Sequence, residues 1–308
     1  MIVTSMFLLA ASAQQSSAAQ SVPQVRREAS IGVPRPTVSG SDTCLKLSMV
    51  DGLPVIPIKI GGKSLNIVLD TGAPGTVLLS SDIIQQLKLA KIGEALVSDP
   101  TLQNPKRVGL YLLADVQAGD LAVENLLASD LPQREKRIWE EDGVMGPDAF
   151  PGYVITYDYP GGRVLLKKGR LPPADGRTAF SYEGSTPGAQ LNVDGRTIKA
   201  DIDTGNARYG LILPKEFAAT LPAYSKQFPV GVAHTANNKY DFSALPVADA
   251  KLGDVPLYIG LAAYPSPAKT ANVGSYVLRD FVLRVDSTNK IVSLERAAPG
   301  LETGCSSA

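Results

Sequence analysis

The tripeptide Asp-Thr-Gly occurs twice in this chain, each time at the end of an apolar run. Asp70-Thr71-Gly72 closes Leu65-Asn66-Ile67-Val68-Leu69, and Asp203-Thr204-Gly205 closes Ile198-Lys199-Ala200-Asp201-Ile202. Overlaid without a gap, at an offset of 133 residues, Ile60-Gly61-Gly62-Lys63-Ser64 falls on Val193-Asp194-Gly195-Arg196-Thr197. Each copy reads as a hairpin with a Gly-containing turn, followed by a strand that delivers an aspartate into a tight turn. A chain holding two such units points to a duplicated β structure that can face two carboxylates across a pseudo-twofold axis.

The repeat extends well past the motif. Gly143-Val144-Met145-Gly146 is followed by Phe150 to Tyr159, a turn at Pro160-Gly161-Gly162 and the run Arg163 to Leu166. Ala271-Asn272-Val273-Gly274 is followed by Phe281 to Asp286, a turn at Ser287 to Lys290 and the run Ile291 to Leu294. From Asp70 to Gly146 is 76 residues, and from Asp203 to Gly274 is 71. Short helical signals at Ser81 to Leu87 and Pro214 to Leu221 both begin 11 residues after their aspartate. Asp-Thr-Gly is also good turn chemistry, but a turn role does not explain why the distant apolar-Gly element recurs.

On these residues the chain resembles the retropepsin-like aspartic proteases, in a tandem form similar to a two-lobed pepsin-like chain. The match is close at Ile67 to Ala73 with Gly143 to Gly146, and looser at Asp203-Thr204-Gly205 with Asn272-Val273-Gly274. It covers roughly residues 45 to 297. The resemblance implies an all-β, two-lobed acid-protease fold with short helices, acting as an aspartic endopeptidase on a peptide or protein substrate. Asp70 and Asp203 would be catalytic. Thr71, Gly72, Ala73, Thr204, Gly205 and Asn206 would support the dyad, and Gly146 and Gly274 would pack beside it. It also implies a hairpin flap over the substrate, without metal or cofactor. Two adjacent carboxyls hold one proton over a wide pH range, so one can act as base on a water while the other hydrogen-bonds the scissile carbonyl.

The second copy departs from the pattern. Asn206 stands where the family usually carries Ala, Ser or Thr, and Asp201 lies two residues before Asp203, where the first copy has Val68. Alternate strand residues share a face, so Asp201 can point with Asp203; otherwise it pairs with Lys199, Arg208 or solvent. The alternative function is a weak or inactive peptide-binding relative of the same fold. Single-lobe units pairing between chains are disfavoured, because both half-sites occur in one chain.

Other features bound the reading. Thirty acidic and thirty basic residues leave no net charge, which gives no signal for nucleic acid or an anionic membrane. His234 is the only histidine and no Gly-x-Ser-x-Gly elbow accompanies it, which argues against a serine triad or a metal cluster. The expected organisation is a signal peptide over 1–13, with an apolar stretch ending in Ala11-Ser12-Ala13. A disordered leader over 14–42 follows, then an N-terminal lobe over 43–169, a linker over 170–186, a C-terminal lobe over 187–298 and a tail over 299–308. Export to the periplasm or beyond follows from the signal peptide, as does a monomer with internal pseudo-twofold symmetry from the repeat. Cys44 and Cys305, the only cysteines, are either bridged or two free thiols near the ends. Flap candidates are Val97 to Val108, with a tip near Asp99 to Leu102, and Gly231 to Asp241, with a turn at Ala236-Asn237-Asn238.

Overall fold

The computed structural model describes residues 26–27, 35–73, 75, 77–97, 106–130, 142–207, 209–234, 239–266, 268–297 and 305. Among them the chain is mainly β, with three short helices and three sheets.

Two large sheets repeat one strand order. The first runs Lys91–Val97, Lys106–Leu113, Leu126–Asp130, Val77–Leu79, Gly143–Met145, Lys63–Leu69, Leu53–Ile60, Val116–Ala118 and Leu121–Glu124. The second runs Phe228–His234, Lys239–Pro246, Leu261–Tyr264, Leu211–Ile212, Ala271–Gly274, Arg196–Asp203, Gly188–Val193, Ala250–Leu252 and Val255–Pro256. The strand carrying each aspartate leaves a tight hairpin whose two turn residues are left-handed: Gly61 and Gly62 in one copy, Asp194 and Gly195 in the other. That conformation matches the twist of the flanking strands and favours Gly or Asp. Each such strand lies inside its sheet, with a parallel neighbour, Gly143–Met145 or Ala271–Gly274. Ile67, Val68 and Leu69 are all fully buried, as suits a strand covered on both faces. In the second copy Ile202 and Ala200 are as buried, but Asp201 between them is not.

The third sheet joins the halves. Its order is Ala179–Ser181, Ile291–Arg296, Phe281–Asp286, Tyr153–Asp158, Arg163–Lys168 and Thr43–Lys46. The two inner strands, one from each half, pair antiparallel with Ile155 opposite Val285 and Tyr157 opposite Leu283. One apolar cluster runs continuously from Ile56 and Ile67 through Tyr157 and Leu283 to Ile202 and Val273.

Two sequence expectations need correcting. The segment expected as a disordered leader contains Thr37–Gly40, which pairs with Leu121–Glu124 at the edge of the first sheet, and Arg26–Arg27, which pairs with Lys91–Val97. Sheet edges offer unpaired N–H and C=O groups, and polar residues such as Thr37 and Ser39 can pair there while Val38 packs against the core. The segment expected as linker supplies Ala179–Ser181 to the third sheet, with Phe180 buried. Both flap segments fall on hairpins, Lys91–Val97 with Lys106–Leu113 and Phe228–His234 with Lys239–Pro246. Their tips, including Asp99 to Leu102 and Ala236 to Asn238, lie outside the described residues, as do residues 1–25.

Candidate active site

The two Asp-Thr-Gly turns meet between the large sheets and are bolted together by four hydrogen bonds. The backbone N–H of Thr71 donates to Oγ1 of Thr204 at 2.9 Å, and the N–H of Thr204 donates to Oγ1 of Thr71 at 3.0 Å. Each hydroxyl then donates across the axis, Thr71 to the carbonyl of Ile202 at 2.6 Å and Thr204 to that of Leu69 at 2.8 Å. Both threonines are fully buried. Each of these four donors bonds an acceptor on the other turn, so the geometry of one loop fixes that of the other.

The bolt sets the two carboxylates side by side. The N–H of Gly72 donates to Oδ1 of Asp70 at 2.7 Å, and the N–H of Gly205 donates to Oδ1 of Asp203 at 3.0 Å. A β-carbon on Gly72 would stand 2.7 Å from Oδ1 of Asp203 and 3.2 Å from Oδ1 of Asp70. One on Gly205 would run into the Asp70 carboxylate. Only glycine lets backbone pass this close to both acids. Asp70 keeps part of its surface open but is enclosed by protein. Burial holds its carboxyl well above the usual carboxylate range, and the neighbouring Asp203 pushes the same way.

The other residues singled out from sequence take distinct places. Gly146 directly follows one parallel neighbour strand and caps the 3-10 turn Pro147–Ala149, and Gly274 ends the other and caps the short helix Ser275–Leu278. A β-carbon on Gly274 would meet the carbonyls of Asn206 and Tyr209 at 2.5 Å. Ala73 is buried in a small apolar cluster with Leu53, Val55, Val68 and Val144. Asn206, its counterpart, does not reach a carboxylate. Its Nδ2 donates to Oδ1 of Asn272 at 2.7 Å, and Nδ2 of Asn272 donates to Oδ2 of Asp203 at 2.6 Å. Asp201 accepts from the hydroxyl of Thr270 at 2.6 Å, and burial raises its carboxyl above the usual range. Arg208 lies outside the described residues. Cys44 and Cys305 are joined by a disulfide, with Cα atoms 5.7 Å apart.

Asn272, Thr270 and Ser275, whose hydroxyl donates to the carbonyl of Thr204 at 2.6 Å, were not singled out as site residues from sequence. Asn272 was legible in principle, because it stands opposite Val144 when the two apolar-Gly elements are aligned. Thr270 and Ser275 carry no such signal, since threonine and serine are ordinary there.

Residues 56–149 match the family model described as aspartyl protease. The N-terminal half therefore carries a retropepsin-like aspartyl protease domain. The match spans Asp70-Thr71-Gly72 and Gly146 but ends before the second motif. No curated protein matches the chain at a significant level.

Proposed function

We propose that this chain is a two-lobed aspartic endopeptidase whose two halves each supply one carboxylate. The observation that carries the reading is the reciprocal Thr71–Thr204 bolt, which holds Asp70 and Asp203 together on turns of the same sequence. The common strand order of the two large sheets supports the tandem arrangement, and the aspartyl protease match supports the class of chemistry.

In this reading the pair holds one proton. The ionised carboxylate takes a proton from a water as its oxygen bonds to the scissile carbonyl carbon, while the protonated carboxyl donates to the carbonyl oxygen. The C–N bond then breaks as the amine nitrogen takes a proton back from the dyad. The substrate is an extended peptide lying between the two hairpins, bound through its backbone. The Cys44–Cys305 bridge and the apolar N-terminal stretch favour an exported protein, periplasmic or secreted, since disulfides persist in oxidising compartments.

The test is cleavage of a diverse peptide library by the chain lacking residues 1–13, from about pH 3 to about pH 8. Asp70→Asn and Asp203→Asn should each abolish cleavage. Binding of peptides without cleavage at any pH would instead make this a peptide-binding relative of the fold.

A further inference from the structure

The two halves repeat each other in backbone but not in what lies around the carboxylates. Beside Asp70 is the apolar cluster of Leu53, Val55, Val68, Ala73 and Val144. At the matching positions of the second half stand Thr186, Gly188, Asp201, Asn206 and Asn272. The pairing registers make two of these matches explicit: Val68 pairs with Val144, and Asp201 pairs with Asn272. An apolar cluster has thus been replaced by polar side chains on one side of the dyad only.

The polarity of this network is fixed at its far end. An amide side chain can be turned either way round, so which of its ends faces a partner has to be inferred from the hydrogen bonds around it. Here the chain of amides starts at a backbone N–H, which can only donate. The N–H of Tyr209 donates to Oδ1 of Asn206 at 3.3 Å, so Nδ2 of Asn206 faces Asn272. Oδ1 of Asn272 must accept that bond, which leaves its Nδ2 for Oδ2 of Asp203. The relay therefore ends in a donor aimed at Asp203, whose other oxygen already accepts from Gly205. A carboxylate that accepts on both oxygens is favoured in its charged form. On the other side, Val144 offers no such side-chain donor: Asp70 has the backbone N–H groups of Gly72 and Gly205, and its burial disfavours its charge.

We propose that Asn272, oriented by Asn206, is a positioning residue that makes Asp203 the ionised member of the dyad and keeps the shared proton on Asp70. The assignment rests on the endopeptidase reading and adds to it: Asp203 becomes the base that activates water, and Asp70 the acid that hydrogen-bonds the carbonyl. The other groups that face Asp203 are Asp70 across the axis, Asp201 on its own strand and the buried Tyr159 hydroxyl. Lys199, two residues further along that strand, acts on Asp201. None of these supplies the hydrogen bond that Asn272 makes.

The decisive experiment does not need activity. In Asp70→Asn protein labelled with carboxyl-13C aspartate, the Asp203 signal is followed during acid titration, with and without Asn272→Val. Losing the donor should move the Asp203 titration upward by about one pH unit, a tenfold gain in proton affinity. Asn206→Ala, which leaves Asn272 in place but unanchored, should shift it the same way by less, and it covers the case in which the valine variant fails to fold. In the active background the acid limb of the kcat/KM profile should move upward in parallel. Folded variants whose Asp203 titration does not move would overturn the assignment. A shift by NMR with no peptidase activity in the parent protein would instead leave the relay standing and remove the endopeptidase reading.

Discussion

Asp70 is where the fold meets the chemistry most directly. Its carboxyl lies in a protein-enclosed position that raises its proton affinity, chiefly through burial and secondly through Asp203. For such a group the sign of the pH dependence is fixed. The folded chain holds the proton more tightly than the unfolded chain. The resulting stabilisation is fully present below the ordinary carboxylate range and is lost as pH rises through the raised folded value. Asparagine at this position is neutral throughout and escapes that loss. Asp70→Asn should therefore melt at a higher temperature than the parent at neutral pH, with the gain shrinking to nothing as pH falls to about 3. Paired thermal melts across that range test it. A gain of constant size at every pH would mean that the substitution acts through packing rather than through charge.

At the scale of elements, the third sheet is built from two hairpins that use the same device. Asp158 accepts from the N–H of Gly161 at 2.9 Å, and Asp286 accepts from the N–H of Asn289 at 2.9 Å, each three residues on. Both carboxylates are buried, and each has a further task. Asp158 pairs with Arg163 at 2.8 Å within its own hairpin, while Asp286 accepts from the N–H of Leu171 at 3.0 Å in the connection between halves. Asp286→Ala would strand the N–H groups of Asn289 and Leu171 and should cost about 1–3 kcal/mol. It should also speed proteolytic nicking of the connection near Leu171, which a digestion time course would detect; unchanged nicking would mean that strand Ala179–Ser181 alone holds that segment. Elements of this kind mark the limit of what the sequence discloses. The aspartate strands, their glycine turns and the closing hairpins repeat with enough spacing to be read directly from residues such as Asp70, Gly72, Gly143 and Phe281. The edge strands Thr37–Gly40 and Ala179–Ser181 were not legible, because their ordering comes from open sheet edges elsewhere in the chain and not from any local pattern. The relay through Asn206 and Asn272 was half legible: the odd residues stood out, but only the backbone N–H of Tyr209 orients them.

The whole molecule is held as one body by two kinds of connection between its halves. One is the shared interior, where Tyr157 and Leu283 pair across the third sheet and the apolar cluster continues from one large sheet to the other. The other is covalent. Cys44 sits on Thr43–Lys46, at one edge of the third sheet, paired opposite Leu165. Cys305 lies beyond Ile291–Arg296, a strand from the other half at the far side of that sheet. The bridge thus closes a loop across the sheet that both halves build, its cysteines 261 positions apart in sequence. In the chain-entropy account such a closure restricts the unfolded ensemble and is worth roughly 5 kcal/mol at most. It touches neither aspartate turn, both of which are held by Thr71 and Thr204. Stability and site geometry should therefore separate. The Cys44→Ser/Cys305→Ser variant should melt well below the parent under non-reducing conditions, and added reductant should bring the parent down to the same midpoint. At 25 °C, well below either midpoint, the peptide-cleavage rate of the variant should stay within about twofold of the parent, because the dyad is organised by hydrogen bonds that the bridge does not share. A variant that melts with the parent would show that the folded halves hold each other without covalent help. One that melts lower and has also lost its cleavage at 25 °C would place the bridge among the elements that align the two carboxylates.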